Sequence, residues 1–157
     1  MNRFRCISAL IGAFLAATLT ATSAPAGDKG NKLPDEVVKI LESAKQIEVA
    51  SVDPGDGKQD AKELGSTTVK DDKRKEVLKA LYKSVADGGS PAKCFEPRHI
   101  IRATSDGKSV NLVLCFACSQ MQVSVGKGEV RTIPISEAAQ PVLNQILKDA
   151  GVPLPTR

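Results

Sequence analysis

Arg98-His99-Ile100-Ile101-Arg102-Ala103-Thr104-Ser105, then Asp106-Gly107, then Lys108-Ser109-Val110-Asn111-Leu112-Val113-Leu114-Cys115: the reading of this stretch decides the fold. Apolar residues alternate on both sides of an Asp-Gly pair, the dipeptide that suits a type I′ two-residue turn, so the segment reads as a hairpin of strands 98–105 and 109–115. With Asp106 and Gly107 as the loop, Ser105 faces Lys108, Ala103 faces Val110, Ile101 faces Leu112 and His99 faces Leu114. Facing residues share one side of a sheet, and the apolar pairs mark the core side. Extending the register puts Arg98 opposite Cys115 and Phe95 opposite Cys118, with Cys94 diagonal to Cys118.

Beyond Cys115 the alternation changes parity. Val110, Leu112, Leu114 and Phe116 are apolar at even positions, whereas Met121, Val123 and Val125 are apolar at odd ones. A straight strand cannot do this, because a slip of one residue turns every side chain to the other face. A bulge or tight turn is therefore expected within residues 116–120, across Cys115-Phe116-Ala117-Cys118. Such a kink lets two thiols three apart point at one centre.

Four chemistries compete for these cysteines. The first is a structural disulfide, from Cys94 to Cys118 or to Cys115, with the third thiol buried or free; oxidising compartments favour it, and the odd count argues against a neat framework. The second is a metal site in which Cys94, His99, Cys115 and Cys118 make a tetrahedral Cys3His set of the kind that holds zinc. His99 lies on the predicted core side beside Leu114, however, where a hydrogen-bonded structural histidine is the ordinary reading. The third is a thiol–disulfide redox centre at Cys115 and Cys118, with Cys94 as resolving thiol. It lacks a helix N-terminus to lower a thiol pKa, and Arg98 is the one cation the register brings opposite Cys115. The fourth, nucleophilic hydrolysis by a Cys–His pair, lacks an orienting third group. Ser119 after the Cys-x-x-Cys motif excludes the usual c-type haem attachment. No residue is assigned a catalytic role.

Outward from the hairpin the chain reads as helix, strands, helix, antiparallel meander, helix. Pro34, Asp35 and Glu36 open a helix with Val37, Val38, Leu41 and Ala44 on one face. Residues 46–52 alternate as a strand, with Ile47 and Val49 on one side. Asp53-Pro54-Gly55-Asp56-Gly57 is strong turn chemistry; a calcium loop counted from Asp53 fails because Leu64 stands where the bidentate Glu belongs. Residues 62–69 suggest a second, weak strand, and Asp71 or Asp72 can cap a helix bearing Val77, Leu78, Leu81, Tyr82 and Val85 before Gly88-Gly89. Further strands are expected at 120–126 and 129–134. Pro141 sets the start of the last helix near residue 140, with Val142, Leu143, Ile146 and Leu147 inward. The fold class is α+β: a single small domain with an antiparallel sheet packed against about three helices.

At the N-terminus, Arg3 and Arg5, the apolar run Ile7 to Leu19 and Ala24-Pro25-Ala26 read as a signal peptide over residues 1–26, too short in its apolar part for a membrane span. Residues 27–33 read as a flexible mature N-terminus and 34–157 as the domain. The expected location is periplasmic or secreted, with contact to a membrane only through an uncleaved leader. Lysines and arginines number 22 against 18 acidic residues, a formal charge of +4 that falls when the leader leaves. The charges are interspersed, with no basic stripe, and after the leader the aromatic residues are only Tyr82, Phe95 and Phe116. Nucleic acid is therefore not an expected partner; an unidentified protein or small ligand is.

The motifs also carry a resemblance. Leu41-Glu42-Ser43-Ala44, Ile47-Glu48-Val49, Val52-Asp53-Pro54, Cys94-Phe95-Glu96-Pro97-Arg98-His99, Cys115-Phe116-Ala117-Cys118 and Gly151-Val152-Pro153-Leu154 resemble a family of small exported bacterial proteins. These share a Cys-(Phe/Tyr)-x-Pro-Arg-His segment followed by Cys-Phe-x-Cys, often behind a signal peptide or lipoprotein leader. Where that family has Gly after Arg-His, this chain has Ile100. The resemblance implies one intact exported domain and no mechanism. The residues together favour an exported, non-catalytic structural or interaction domain with a disulfide-stapled hairpin and no cofactor, with a zinc-binding module and a redox protein as alternatives.

Overall fold

Six strands form one antiparallel sheet in a computed structural model that describes residues 31–55 and 61–155. In chain order the elements are α1 (Asp35–Ser43), β1 (Gln46–Asp53), β2 (Lys62–Lys70), α2 (Asp71–Asp87), β3 (His99–Ser105), β4 (Lys108–Cys115), β5 (Gln120–Val125), β6 (Arg131–Pro134), a short 3-10 turn (Glu137–Ala139) and α3 (Gln140–Asp149). The strand order across the sheet is β2-β1-β3-β4-β5-β6. The signal-peptide reading, residues 27–30 and part of the acidic turn after Asp53 lie outside the described residues.

The hairpin has the expected register: Ser105↔Lys108, Ala103↔Val110, Ile101↔Leu112 and His99↔Leu114. Asp106 and Gly107 both have positive φ, 51° and 73°, as a type I′ turn requires. The parity switch is a tight turn across residues 116–119, closed by Cys115↔Gln120, with the Ser119 N–H on the Phe116 carbonyl at 3.0 Å. After it, Met121 lies beside Leu114 and Val123 beside Leu112, so the apolar faces of β4 and β5 coincide.

Sequence reasoning did not place β1. It pairs with β3 on the side away from β4, matching Ile47 to Ala103, Val49 to Ile101 and Ser51 to His99. Because β2 and β3 both run antiparallel to β1, they are parallel to each other and α2 is the crossover between them. The rows that build the core then face one way, with Val69, Ile47, Ala103 and Val110 in one and Val49, Ile101, Leu112 and Val123 in the next, while Ala50, Ile100 and Val113 make an apolar row on the opposite face. The helices cover the core face with Val37, Ile40 and Leu41 from α1, Val77, Leu78, Leu81 and Val85 from α2, and Leu143, Ile146 and Leu147 from α3. Burying each such side chain contributes roughly 1.5–3 kcal/mol.

The other face carries Glu48, Arg102, Asn111, Gln122 and Ser124, none of them fully buried. There Arg102 holds three strands together, donating to Glu48 at 3.2 Å and to Glu63 at 2.6 Å. At the end of α1, Arg74 of α2 donates to the Leu41 carbonyl at 3.0 Å, satisfying an acceptor the helix leaves unpaired. The start of α3 lies at Gln140 with Pro141 in its first turn, as expected.

Three details differ from the sequence reading. Leu33, read with the flexible segment, is 6% exposed and belongs to the core; its apolar side chain packs there just ahead of α1. Neither Asp71 nor Asp72 caps α2 through its side chain; both sit in its first turn, where their charges face the positive end of the helix dipole. The hairpin ladder ends at His99↔Leu114 rather than continuing to Phe95. Among the described residues, no helix is long and apolar enough to cross a membrane.

Candidate functional site

The chain between α2 and β3 folds over the β4–β5 turn and brings three sulfurs together. Its entry needs Gly89, because a Cβ there would lie 2.8 Å from Ser119 Cβ and closer still to the Ile135 carbonyl oxygen. Further along, the Ala92 N–H donates to the Cys118 carbonyl at 3.0 Å. The Gln120 side-chain amide donates to the carbonyls of Ala92, at 3.1 Å, and Cys94. The Arg98 N–H bonds the Leu114 carbonyl, and the Arg98 carbonyl accepts from Val52, which returns the chain to the sheet. Cys94 is thus held at the turn by main-chain anchors, although the strand ladder does not reach it.

Cys115 and Cys118 form a disulfide across the turn, with Cα atoms 5.2 Å apart. Both are buried, at 0% and 1% exposure. Cys94 is an exposed free thiol, yet its Sγ lies 2.8 Å from Cys118 Sγ. The convergence of Cys94 on Cys118 is as the register implied; the pairing is not. The turn curls Cys115 and Cys118 onto one side, so the pair closes locally and Cys94 is the third thiol.

His99 stands apart from this chemistry. It is 1% exposed on the core side of β3, its ring in an edge-on contact with Phe116 at 5.4 Å between centroids. Its Nε2 lies 2.7 Å from Asn144 Oδ1. An amide oxygen only accepts, so Nε2 carries the proton and Nδ1 presents a lone pair. Among the described residues that Nδ1 has no hydrogen-bond partner, and neither has Ser51 Oγ on the facing residue of β1. No three His, Cys, Asp or Glu side chains among the described residues are grouped to hold a metal ion. Arg98 and Glu96 form a loose ion pair at 3.9 Å, Glu96 well exposed, as charged residues at a strand entry commonly are.

Sequence reasoning missed Asn144, Gln120 and Ser51. Asn144 and Ser51 carry a faint signal, each a polar residue within an apolar run, beside Leu143 and between Ala50 and Val52. Gln120 carries none, since its role depends on where the 88–98 segment passes.

Burial pushes the His99 pKa below its ordinary 6.5; the Asn144 hydrogen bond opposes this and the Arg98 charge adds to it. Above pH 6.5 both folded and unfolded chains hold a neutral imidazole, and the stability is fully present. As the pH falls below 6.5 the unfolded chain takes up the proton first, so stability drops until the lower, folded pKa is passed. Urea unfolding from about pH 7.5 to about pH 5 should show this loss in the native chain and less of it in His99→Gln. Parallel curves for the two proteins would refute the assignment.

The grooves lined by Pro34, Val37, Val123 and Arg131, and by Ser43, Gln46, Lys70 and Arg74, contain neither the cysteines nor His99. Comparison with protein-family models, with curated proteins and with solved structures finds no match for this chain.

Proposed function

We propose that this chain is an exported structural or interaction domain held at its central turn by the Cys115–Cys118 staple. The observation that carries the reading is the disulfide itself, buried where β4 turns into β5. A disulfide persists in oxidising compartments, which agrees with the leader read over residues 1–26 and with a periplasmic or secreted location. The resemblance to small exported bacterial proteins supports the same view, and the partner is a protein or small ligand rather than nucleic acid. The zinc alternative draws no comparable support, because Cys115 and Cys118 are joined in a disulfide and no three His, Cys, Asp or Glu side chains among the described residues are grouped to hold a metal ion.

Reduction should weaken the fold only moderately. Closing so short a loop restricts the unfolded chain enough to contribute about 2 kcal/mol. Thermal unfolding of protein recovered from the exported fraction, with and without reductant, should show a lower Tm when reduced and a mass two hydrogens lighter when oxidised. Recovery of the protein only from the cytoplasm, with every cysteine reduced, would defeat the proposal.

A further inference from the structure

The three sulfurs differ in access in a way that a static staple does not need. Cys115 and Cys118 are buried, whereas Cys94 is exposed and in contact with Cys118. We propose, beyond the structural reading, that they form a thiol–disulfide relay: Cys94 exchanges with dithiols or disulfides of other molecules, and the buried pair stores the oxidising equivalent.

The internal step consumes nothing. The Cys94 thiolate attacks Cys118 Sγ, the Cys118–Cys115 bond breaks, and its electron pair leaves on Cys115 Sγ, which takes up the proton Cys94 has lost. The disulfide now joins Cys94 to Cys118, and one of its sulfurs is at the surface. In the outward step a substrate dithiol, as its thiolate, attacks Cys94 Sγ and forms a mixed disulfide while Cys118 departs as a thiolate. The second substrate thiol then attacks the substrate sulfur of that bond and releases Cys94. The substrate has been oxidised to a disulfide, and the protein has gained two electrons as two new thiols. A substrate disulfide runs the same steps backwards and restores the staple. Attack on a disulfide requires access to the sulfur attacked, so Cys94 is the route by which an outside thiol reaches the buried pair.

Cys94 is a surface residue, so Cys94→Ser should fold as the native chain does. In the oxidised full chain, disulfide loss to dithiothreitol, followed by acid quench and alkylation, should be about tenfold slower or more in Cys94→Ser than in the native protein. Equal rates would overturn the relay. In Cys115→Ser, mild oxidation with oxidised dithiothreitol should join Cys94 to Cys118, seen as a cross-linked peptide; a folded variant that keeps both thiols free would overturn it too. Should that second variant not fold, the rate comparison decides alone. Neither readout depends on the Tm shift that tests the staple's structural role.

Discussion

Leu112→Ala should destabilise the domain by about 3 kcal/mol, within the range measured for large-to-small changes at buried leucines. Leu112 is fully buried, with Ile101 on one side and Val123 on the other. Removing its side chain loses the transfer energy of the deleted carbons and leaves a space that strands tied on both edges cannot collapse to fill. For a domain of this size that is a large share of a total stability of about 5–15 kcal/mol. Urea unfolding monitored by circular dichroism checks it. A loss below about 1 kcal/mol would show that this row is not the packed centre of the sheet.

Gly89→Ala should have the second largest effect, about 2 kcal/mol, in the range found for overpacked sites. The added methyl would meet Ser119 Cβ and the Ile135 carbonyl oxygen. Backbone must therefore move, since neither contact is the free end of a flexible side chain. The displaced segment leads to Cys94, so the variant should also react faster with iodoacetamide at that thiol as contact with Cys118 loosens. Gly107 offers a control: it has nothing within 4 Å of an added Cβ, and its left-handed φ alone opposes substitution. Loss at Gly107→Ala should leave the alkylation rate of Cys94 unchanged. If both variants alter it equally, Gly89 does not position the segment.

The hairpin and the turn after it were legible because local chemistry decides them. Asp106-Gly107 sets a register, and the shift from even to odd apolar positions requires a reversal before Met121. His99 could be placed on the core side by the same counting. The docking of β1 against β3 could not, because it pairs residues such as Val49 and Ile101 through a crossover helix, and nothing near either strand names the other. The disulfide partner was misread for a related reason. Extending a flat ladder brings Cys94 close to Cys118 but says nothing of how far a four-residue turn curls Cys115 toward Cys118. Asn144 reaches His99 from a helix more than forty residues on, at a separation of 45, and only the three-dimensional path of α3 reveals it.

The order of strands has a consequence for how the chain folds. From β3 to β6 each strand pairs with the one that follows it, so four of the six strands assemble through short loops, whereas β1 can join β3 only after α2 has crossed. Local pairings close sooner than distant ones because less chain entropy is lost before the first contacts form. The β3–β6 meander should therefore be built in the transition state and β1 added late. Truncations in β4 and β5, such as Val123→Ala, should slow folding, while Val49→Ala should chiefly speed unfolding; stopped-flow kinetics in urea would reveal the opposite pattern if β1 were part of the nucleus. On this order Cys115 and Cys118 meet early, within a turn that assembles by itself, and the pair can close before the remainder of the sheet is in place.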